Sequence, residues 1–455
     1  MNLKKLFKII AIACTAVVFV MCFLFFIHDD LMETANHSYM LLTDIEAGRF
    51  FDFYLDVEAH NNDLYYINSA NYNILVYLFF ALWQLPLQVL SFVFRFTLRE
   101  QILWMWSKVL PCVFYLLCAL EVKNISVIVS NDLNEGRKNA IVFLVSPVAF
   151  FSAFIMGQYV TICLFFMLLF IRLMEEDIGA KAIIVGGIAI CLNLMTFFVI
   201  IPYLLLKTEA INKSFIANLL LLFTPFLVTK LLFLGKEGHS KFASEMIRRI
   251  MTPLVVGNVE IPVFPCILTV LCCVSLLMTD ERNIHYGIRI SLLSLAALFL
   301  LIEWHPQWII LLIAIISINM ECNERVKALW PVLSVMLSIG FYLYSFCRFP
   351  GQLENNLLND SFSFVSLIDF PEQGMLFSEM LTIIDSDIPV RMIAKALFSA
   401  VLVSLIFFSW PGKQIISSTK TQNIANYRVC YAVITFFAAI ISYTVCIFMP
   451  FIFAR

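Results

Sequence analysis

The chain has 455 residues, of which 62% are hydrophobic and only 14% charged, with 45 phenylalanines and a mean hydropathy of +0.91. So few charges cannot cover the surface of a soluble globule, and we therefore expect an all-α polytopic membrane protein. The formal net charge of −2 excludes nucleic-acid binding as a main role, because that role needs a basic surface.

Apolar runs of membrane-spanning length recur from one end of the chain to the other. A helix needs about 20 residues to cross the hydrocarbon core, so a chain of this length holds roughly a dozen spans. We predict about 13 transmembrane helices in a single membrane domain over residues 1–455. Their predicted ranges are 6–27, 73–95, 103–121, 139–156, 159–174, 181–206, 214–235, 259–279, 286–304, 307–321, 328–347, 389–411 and 429–453.

Basic residues before the first span set the predicted orientation. Lys4, Lys5 and Lys8 place the N-terminus in the cytoplasm by the positive-inside rule, and the first span lacks a signal-peptide cleavage site. The predicted external loops are then 28–72, 236–258 and 349–388. The same count places the basic loop 122–138 outside, against the charge rule, and 157–159 inside. One of spans two to five is therefore expected to be a half-helix or a re-entrant segment.

The first external loop, 28–72, holds the densest cluster of ionisable residues in the chain. Asp29 and Asp30 stand directly after the first span. Asp30, His37 and Asp44 recur every seven residues, so they share one face if this stretch is helical. The pattern fits an ordinary amphipathic helix on the membrane surface. It equally fits a loop that folds back over a cavity and offers a carboxylate to a substrate.

Three further polar groups interrupt the apolar pattern. Gln158 marks a break between two apolar runs, which a simple turn at the membrane face would also show. His305 and Gln307 lie in LIEWHPQWII, a turn more polar than an interfacial tryptophan belt requires. Arg248 and Arg249 lie on an external loop against the positive-inside trend, which favours an anionic ligand such as a phosphate. A solvated amphipathic helix would have the same sequence pattern.

Cysteine positions and motifs argue against a cofactor. Many of the 13 cysteines lie in apolar runs, where Cys packs as a small hydrophobe, and no CxxC pair or Cys/His cluster predicts a metal site. No Gly-rich phosphate loop is present, so a cytosolic nucleotide donor is not expected. We therefore predict neither a cofactor nor a metal.

The layout resembles the GT-C class of integral-membrane glycosyltransferases, which take sugars from polyprenyl-phosphate carriers. In that class an acidic residue of the first external loop follows the first helix, as Asp29 and Asp30 do here. Tyr39, Gly48 and Phe53 resemble the stretch that comes next. The segment SPVAFFSAFIMGQY is similar to the Ser-Pro…Gly-Gln region of the class. WHPQW resembles its His-bearing turn at the outer end of a late helix.

The resemblance implies a hexosyl- or mannosyltransferase-like enzyme. It would move a sugar from a polyprenyl-phosphate-linked donor to a glycan, lipid or protein acceptor on the outer face of a cell membrane, such as a bacterial inner membrane. Asp29 or Asp30 would act as the base on the acceptor hydroxyl. The other candidate substrate-binding residues are His37, Asp44, Gln158, His305, Gln307, Arg248 and Arg249. The predicted surroundings are a lipid bilayer, with no nucleic-acid partner.

Two other classes share this pattern. A polytopic transporter or a lipid or oligosaccharide flippase would place charges along a path, for which Lys230, Arg391 and Lys395 are candidates. A polysaccharide polymerase or ligase would place its key residues in a later loop such as 349–388. The chain shows no two similar halves, and its large polar first loop favours an enzyme.

Overall fold

The computed structural model describes residues 3–60, 70–236, 241–256, 259–278, 283–349, 375–410 and 427–453. These ranges are mainly helical, which agrees with the predicted all-α polytopic membrane protein. Nineteen helices are numbered here in chain order: α1 (Leu3–Phe25), α2 (Asp29–Glu46), α3 (Phe53–Ala59), α4 (Ile74–Phe94), α5 (Glu100–Ser130), α6 (Leu133–Leu144), α7 (Pro147–Phe150), α8 (Val160–Glu175), α9 (Gly179–Leu192), α10 (Phe197–Lys207), α11 (Lys213–Leu232), α12 (Lys241–Ile250), α13 (Val263–Leu277), α14 (Ile284–Leu301), α15 (Ile310–Cys322), α16 (Glu324–Arg348), α17 (Phe377–Asp387), α18 (Val390–Ser409) and α19 (Arg428–Phe453).

Two short strands form the described β-structure. Strand β1 (Leu254–Val256), in the second predicted external loop, pairs antiparallel with β2 (Val259–Ile261), which occupies the start of the predicted span 259–279. Most of the third predicted external loop, 350–374, lies outside the described residues.

The predicted number of spans is not confirmed. Every predicted range contains helix, but among the described residues seven helices are long and apolar enough to cross a membrane. The number is nine if each of two bent helix pairs counts as one span. Several of the other apolar helices have 13 to 15 residues, as α15, α9 and α13 do. That length is short of the roughly 20 residues that a full crossing needs.

The predicted span 181–206 is two helices rather than one. Asn193 has an extended backbone (φ −153°, ψ 119°), and its side chain accepts a hydrogen bond from the Met195 N–H at 2.9 Å. This cap ends α9 and starts a new helical turn, because Asn satisfies the free N–H groups there. Lys207 at the end of α10 lies 2.8 Å from Glu175, which ends α8 just before α9 begins. The pair α9–α10 therefore starts and finishes on the same side of the protein.

Helix α4 also starts and ends on one side. Asn73 caps its first turn and bonds Thr229, near the end of α11, at 2.8 Å. Gln88, near its other end, bonds Glu46 at the end of α2 at 2.9 Å. Helix α5 follows after five residues, and its Lys108 reaches the carbonyl groups that end α1. The end of α1, the start of α5, α2 and both ends of α4 thus share one side, here called the site side.

This arrangement removes the conflict with the positive-inside rule. Since α5 starts on the site side, it carries the chain across. Residues 122–138, predicted as a loop, are mostly the end of α5 and the start of α6, on the opposite side. The turn at 157–159 then returns to the site side. The prediction that 122–138 lies outside and 157–159 inside follows from counting α4 as a crossing.

The interior is built around α15. Twelve of its thirteen residues are buried, and it packs against α5, α6, α14 and α16. A helix that is apolar on all sides is stable only in such a central position. One turn before α15, the chain forms the 3-10 helix Pro306–Ile309, which is also buried. This segment brings His305 and Gln307 to the site side at the centre of the helix bundle.

A buried ion network closes the opposite side. Arg428, which is 1% exposed, bonds Glu135 at 2.6 Å and Glu321 at 3.1 Å. Lys327 lies 2.9 Å from Glu135 and 3.1 Å from Glu321. These four side chains, here called the opposite-side network, connect α6, α15, α16 and α19. Two cations matched by two carboxylates make the burial of these charges tolerable.

Candidate functional site

The junction between α1 and α2 sets the position of the acidic pair. The two helices meet at a bend of 62°. Lys108, which is 0% exposed, donates hydrogen bonds to the carbonyls of Cys22 and Phe23 at 2.9 Å each, and to that of Phe26. The last carbonyls of a helix have no partner within the helix and carry partial negative charge, so a buried cation stabilises them. Lys108 therefore fixes the end of α1.

Asp30 lies in the first turn of α2 and faces a distant part of the chain. Its carboxylate accepts a hydrogen bond from Gln307 Nε2 at 3.5 Å, across 277 residues of sequence. The His28 Nδ1 atom lies 3.9 Å from the same carboxylate, whose side chain keeps an exposed fraction of 35%. Asp30 is thus held by the protein on one side and open on the other.

The His305 turn stands beside this carboxylate. The His305 ring packs edge-on against Trp308 at 4.8 Å and stacks on Phe349 at 5.6 Å. Burial and the positive charge of Arg249 lower the pKa of His305 from its usual 6.5, although Asp30 raises it. His305 is therefore a neutral imidazole at neutral pH, able to donate one hydrogen bond and accept one.

Gln158 reaches the same place from a third element. Gly157 has a positive φ of +64°, and a Cβ there would lie 2.9 Å from the Leu31 side chain, so the turn needs glycine. The preceding π-helical turn, Phe151–Ile155, packs against the 3-10 helix that holds Gln307. Gln158 is 2% exposed, and no described protein group pairs with its Oε1 or Nε2.

Two arginines border the His305 turn. Arg249 of α12 bonds Glu245 at 2.9 Å and the Glu303 carbonyl at 3.4 Å, and its guanidinium lies 5.9 Å from the Trp308 ring. Arg348, at the end of α16, bonds the Glu303 carboxylate at 2.6 Å. An arginine carries five N–H donors, so these contacts leave donors for a ligand. Both arginines also act electrostatically on His305, which therefore stands between the cations and Asp30.

Arg248 is placed differently from its neighbour. Its side chain is 75% exposed and pairs with Glu245 at 2.7 Å. Hydrogen bonds from Arg248 and Arg249 lower the pKa of Glu245 to about 2, so this carboxylate is ionised and offsets part of their charge. Arg249, with an exposed fraction of 18%, is the arginine that faces the His305 turn.

Helix α2 places Asp30, His37 and Asp44 on one face, as the heptad spacing predicts, but His37 and Asp44 do not lie beside Asp30. His37 is 3% exposed and packs against the Tyr77 ring at 5.8 Å. Asp44 is 1% exposed and lies 3.0 Å from Arg49. At a rise of about 1.5 Å per residue, these side chains stand about 10 and 21 Å along the helix from Asp30. His37 therefore lies against α4, and Asp44 lies in a charged cluster with α3, away from the site.

An apolar groove runs along the protein between α16 and α19. It measures about 380 Å³ and is lined almost entirely by apolar side chains, including Val335, Ile339, Ile434 and Tyr443. Phe346 and Phe377 line it toward the site side. Arg348 follows Phe346 by two residues. The groove therefore leads from the helix bundle to Arg249 and Arg348, here called the cationic border of the site.

Comparison with known proteins adds no relative. No known family model matches the chain, and no curated protein shows significant sequence similarity to it. The functional interpretation therefore depends on the site itself. Within the described part of the chain, no three His, Cys, Asp or Glu side chains are grouped to hold a metal.

Sequence reasoning missed three residues of this region. Lys108 lies inside an apolar run and Arg348 at the end of one, without a neighbouring polar cluster to mark them, whereas His28 stands directly before Asp29 and Asp30. The available signals were this position of His28 and the lysine inside a predicted span, because an intramembrane charge is costly unless it has a use. The positions of His28 and Arg348 follow only from the way α1, α14 and α16 meet.

Proposed function

We propose that this protein is a membrane glycosyltransferase that moves a sugar from a polyprenyl-phosphate-linked donor to an acceptor hydroxyl at its site side, the outer face of the membrane. The observation that carries the proposal is the contact between Asp30 and Gln307. It joins the first loop to the His305 turn and leaves a partly exposed carboxylate beside neutral and cationic donors.

Asp30 is the base in this scheme. Its carboxylate takes the proton of the acceptor hydroxyl while the acceptor oxygen bonds to the anomeric carbon of the sugar. The bond between that carbon and the carrier phosphate breaks, and the phosphate leaves with the bonding electron pair. Asp29 lies one residue earlier, about 100° around the helix, so it is turned away from the direction in which Asp30 meets Gln307.

The cationic border fits the departing phosphate. His305 would donate a hydrogen bond to a phosphate oxygen, and the donors that remain on Arg249 and Arg348 would stabilise its charge. The groove between α16 and α19 supports a lipid-linked donor, because an isoprenoid chain can lie against its apolar lining while the phosphate stays near Arg348. The contacts to Glu245 and Glu303 hold both arginines in position without the phosphate.

The transport alternative receives less support from the placement of its charges. Arg391 and Lys395 are exposed on α18, and Lys230 is half-buried with its ammonium 5.8 Å from the Phe226 ring. The polymerase or ligase alternative depends on 349–388, of which 350–374 lies outside the described residues.

Purified protein in lipid vesicles tests the proposal. The vesicles receive a panel of radiolabelled polyprenyl-phosphate sugars together with glycan, lipid and peptide acceptors, and both the chemical form and the leaflet of the label are followed. A glycosyltransferase converts one donor into a new product, and Asp30→Asn abolishes the conversion. A flippase would instead move the unchanged donor between leaflets, and that result would refute the proposal.

A further inference from the structure

The unpaired polar atoms around Asp30 identify the kind of group that binds there. Gln158 is 2% exposed and Gln307 and His28 are each 4% exposed. The Gln158 Oε1 and Nε2, the Gln307 Oε1 and the His28 Nε2 are buried, and no described protein group pairs with any of them. Each unpaired buried polar atom costs stability, so a group of them at one place points to a ligand.

The tautomer of His28 is fixed by the helix that it caps. His28 precedes α2 with an extended backbone, and its Nδ1 accepts a hydrogen bond from the Asp30 N–H at 3.2 Å. A ring nitrogen that accepts carries no proton, so the proton of the neutral imidazole is on Nε2. His28 therefore presents a buried N–H donor next to the Asp30 carboxylate.

These atoms come together from three separate parts of the chain. His28 lies 3.9 Å from Asp30, which in turn contacts Gln307 at 3.5 Å. Leu31, in the same turn of α2, lies against Gly157, the neighbour of Gln158. His28, Gln158 and Gln307 thus belong to three segments that meet at the first turn of α2.

The unpaired atoms are a mixed set of donors and acceptors. His28 Nε2 and Gln158 Nε2 donate, whereas the oxygens of Gln158 and Gln307 accept. The phosphodiester link of a polyprenyl-phosphate sugar offers only acceptors to a protein, so it would leave the two amide oxygens unpaired. A hydroxyl group both donates and accepts, and neighbouring hydroxyls on a ring match such a set.

We propose that His28, Gln158 and Gln307 form a binding subsite for the neutral, hydroxyl-bearing ring of the substrate, with His28 Nε2 as a donor to one ring hydroxyl. The subsite is distinct from the cationic border at Arg249 and Arg348. As a part of the transferase site it depends on the proposed function, but binding of a neutral polyol can be measured without turnover.

Binding of methyl hexosides to the whole protein in lipid nanodiscs, free of glycoside detergents, tests the subsite by saturation-transfer NMR. His28→Asn retains a side-chain oxygen that caps α2 in place of Nδ1, but it lacks the distal donor. We expect at least one methyl hexoside to bind, and His28→Asn to weaken that binding about tenfold with an unchanged melting temperature. His28→Ala should weaken binding equally and also lower the melting temperature, because the cap is lost.

Substitution of Gln158 provides a second test, in which stability should rise while binding falls. Gln158→Met removes two unpaired buried polar atoms at nearly constant volume, so the empty protein should melt at a higher temperature while binding falls about tenfold. Exposed Gln101→Met serves as the matched control and should change neither quantity.

Three outcomes would overturn the subsite: no methyl hexoside binds, His28→Asn binds like the wild type, or inorganic phosphate competes for the same position and loses affinity in His28→Asn. Failure of the transferase proposal looks different. In that case hexoside binding and its loss in the variants persist, while no polyprenyl-phosphate sugar is converted.

Discussion

His305 lies between the two charged parts of the site, the Asp30 carboxylate and the arginines Arg249 and Arg348. It is half-buried and contacts Trp308 and Phe349, and both Asp30 and the two bordering arginines act on it electrostatically. Because its pKa is lowered, His305 is a neutral hydrogen-bond donor at neutral pH rather than a cation. A neutral donor aimed at a leaving phosphate is most valuable when the negative charge develops, which is in the transition state.

His305→Ala should therefore lower kcat about 100- to 1,000-fold, corresponding to the roughly 2.7–4 kcal/mol that one such donor contributes, and should change donor binding much less. Turnover and melting temperature are measured on the same preparation. A purely structural His305 would lower the melting temperature and leave turnover normal in the folded fraction, and normal turnover would remove it from the site.

The sequence predicts several site residues but not their grouping. Asp30, Gln158, His305 and Gln307 stand out because each is polar at the end of an apolar run. Their convergence depends on the bend after α1 and on the buried 3-10 helix before α15, which no local pattern reveals. His37 and Asp44 share the helix face of Asp30, as the heptad spacing predicts, but they lie about 10 and 21 Å further along α2, because a shared helix face says nothing about distance along the helix.

At the level of single elements, α2 is the helix that the heptad pattern predicts, and its far end forms a separate charged cluster. Asp44 lies between Arg49 and Asp56, and both carboxylates contact the Arg49 guanidinium, at 3.0 and 3.5 Å. Burial, and next the neighbouring Asp56, raise the pKa of Asp44 to about 6, although Arg49 lowers it. This end of α2 packs under α3, and Gly48, with φ +71°, allows the chain to turn between them.

The raised pKa gives the first loop a defined pH dependence. The folded protein binds more protons at Asp44 than the unfolded chain between about pH 4 and pH 6, because the unfolded carboxyl titrates near 3.9. The contribution of Asp44 to stability therefore falls as the pH rises through that window.

Asp44→Asn removes this contribution. The melting temperature of the variant minus that of the wild type should therefore be higher at pH 7 than at pH 4. Thermal unfolding at a series of pH values measures the difference. A difference that stays constant across the window would mean that Asp44 titrates normally in the folded protein.

Two elements depart from the predicted spans for local reasons. Helix α4 is as apolar as a crossing helix, yet its cap Asn73 and Gln88 in its second half bond to elements of the site side, and hydropathy does not register such contacts. The break at Asn193 is a single polar cap within an apolar run of 26 residues, 181–206, so a window average conceals it.

At the scale of the whole molecule, the courses of α4 and of the α9–α10 pair change which loops lie on the same side of the membrane. Single cysteines in a cysteine-free background test the arrangement by labelling with an impermeant reagent. Arg99→Cys and Thr252→Cys, both at exposed positions, should be labelled from one side, and Asn134→Cys from the other. Labelling of Arg99→Cys together with Asn134→Cys would show that α4 crosses the membrane.

The opposite-side network should stabilise the whole bundle, because it connects four helices that are distant in sequence. Removing one partner leaves a buried charge without compensation, which costs about 3–5 kcal/mol. We expect Arg428→Ala to lower the free energy of unfolding by about that amount. Arg137→Ala, exposed on α6 at the same side, should change it little. Equal effects of the two substitutions would contradict a stabilising role for the network.

The matched pair Asp30→Asn and Asp29→Asn tests the central claim most directly. Both substitutions remove a carboxylate in the first turn of α2 and keep its shape, and Asp30 is the residue that accepts the hydrogen bond from Gln307 Nε2. Conversion of the best donor of the panel is measured for both variants in the same vesicles, with melting temperature as the control for folding. We expect Asp30→Asn to lose conversion with an unchanged melting temperature and Asp29→Asn to retain most of it. Full conversion by folded Asp30→Asn, or loss in Asp29→Asn alone, would contradict the assignment of Asp30 as the base.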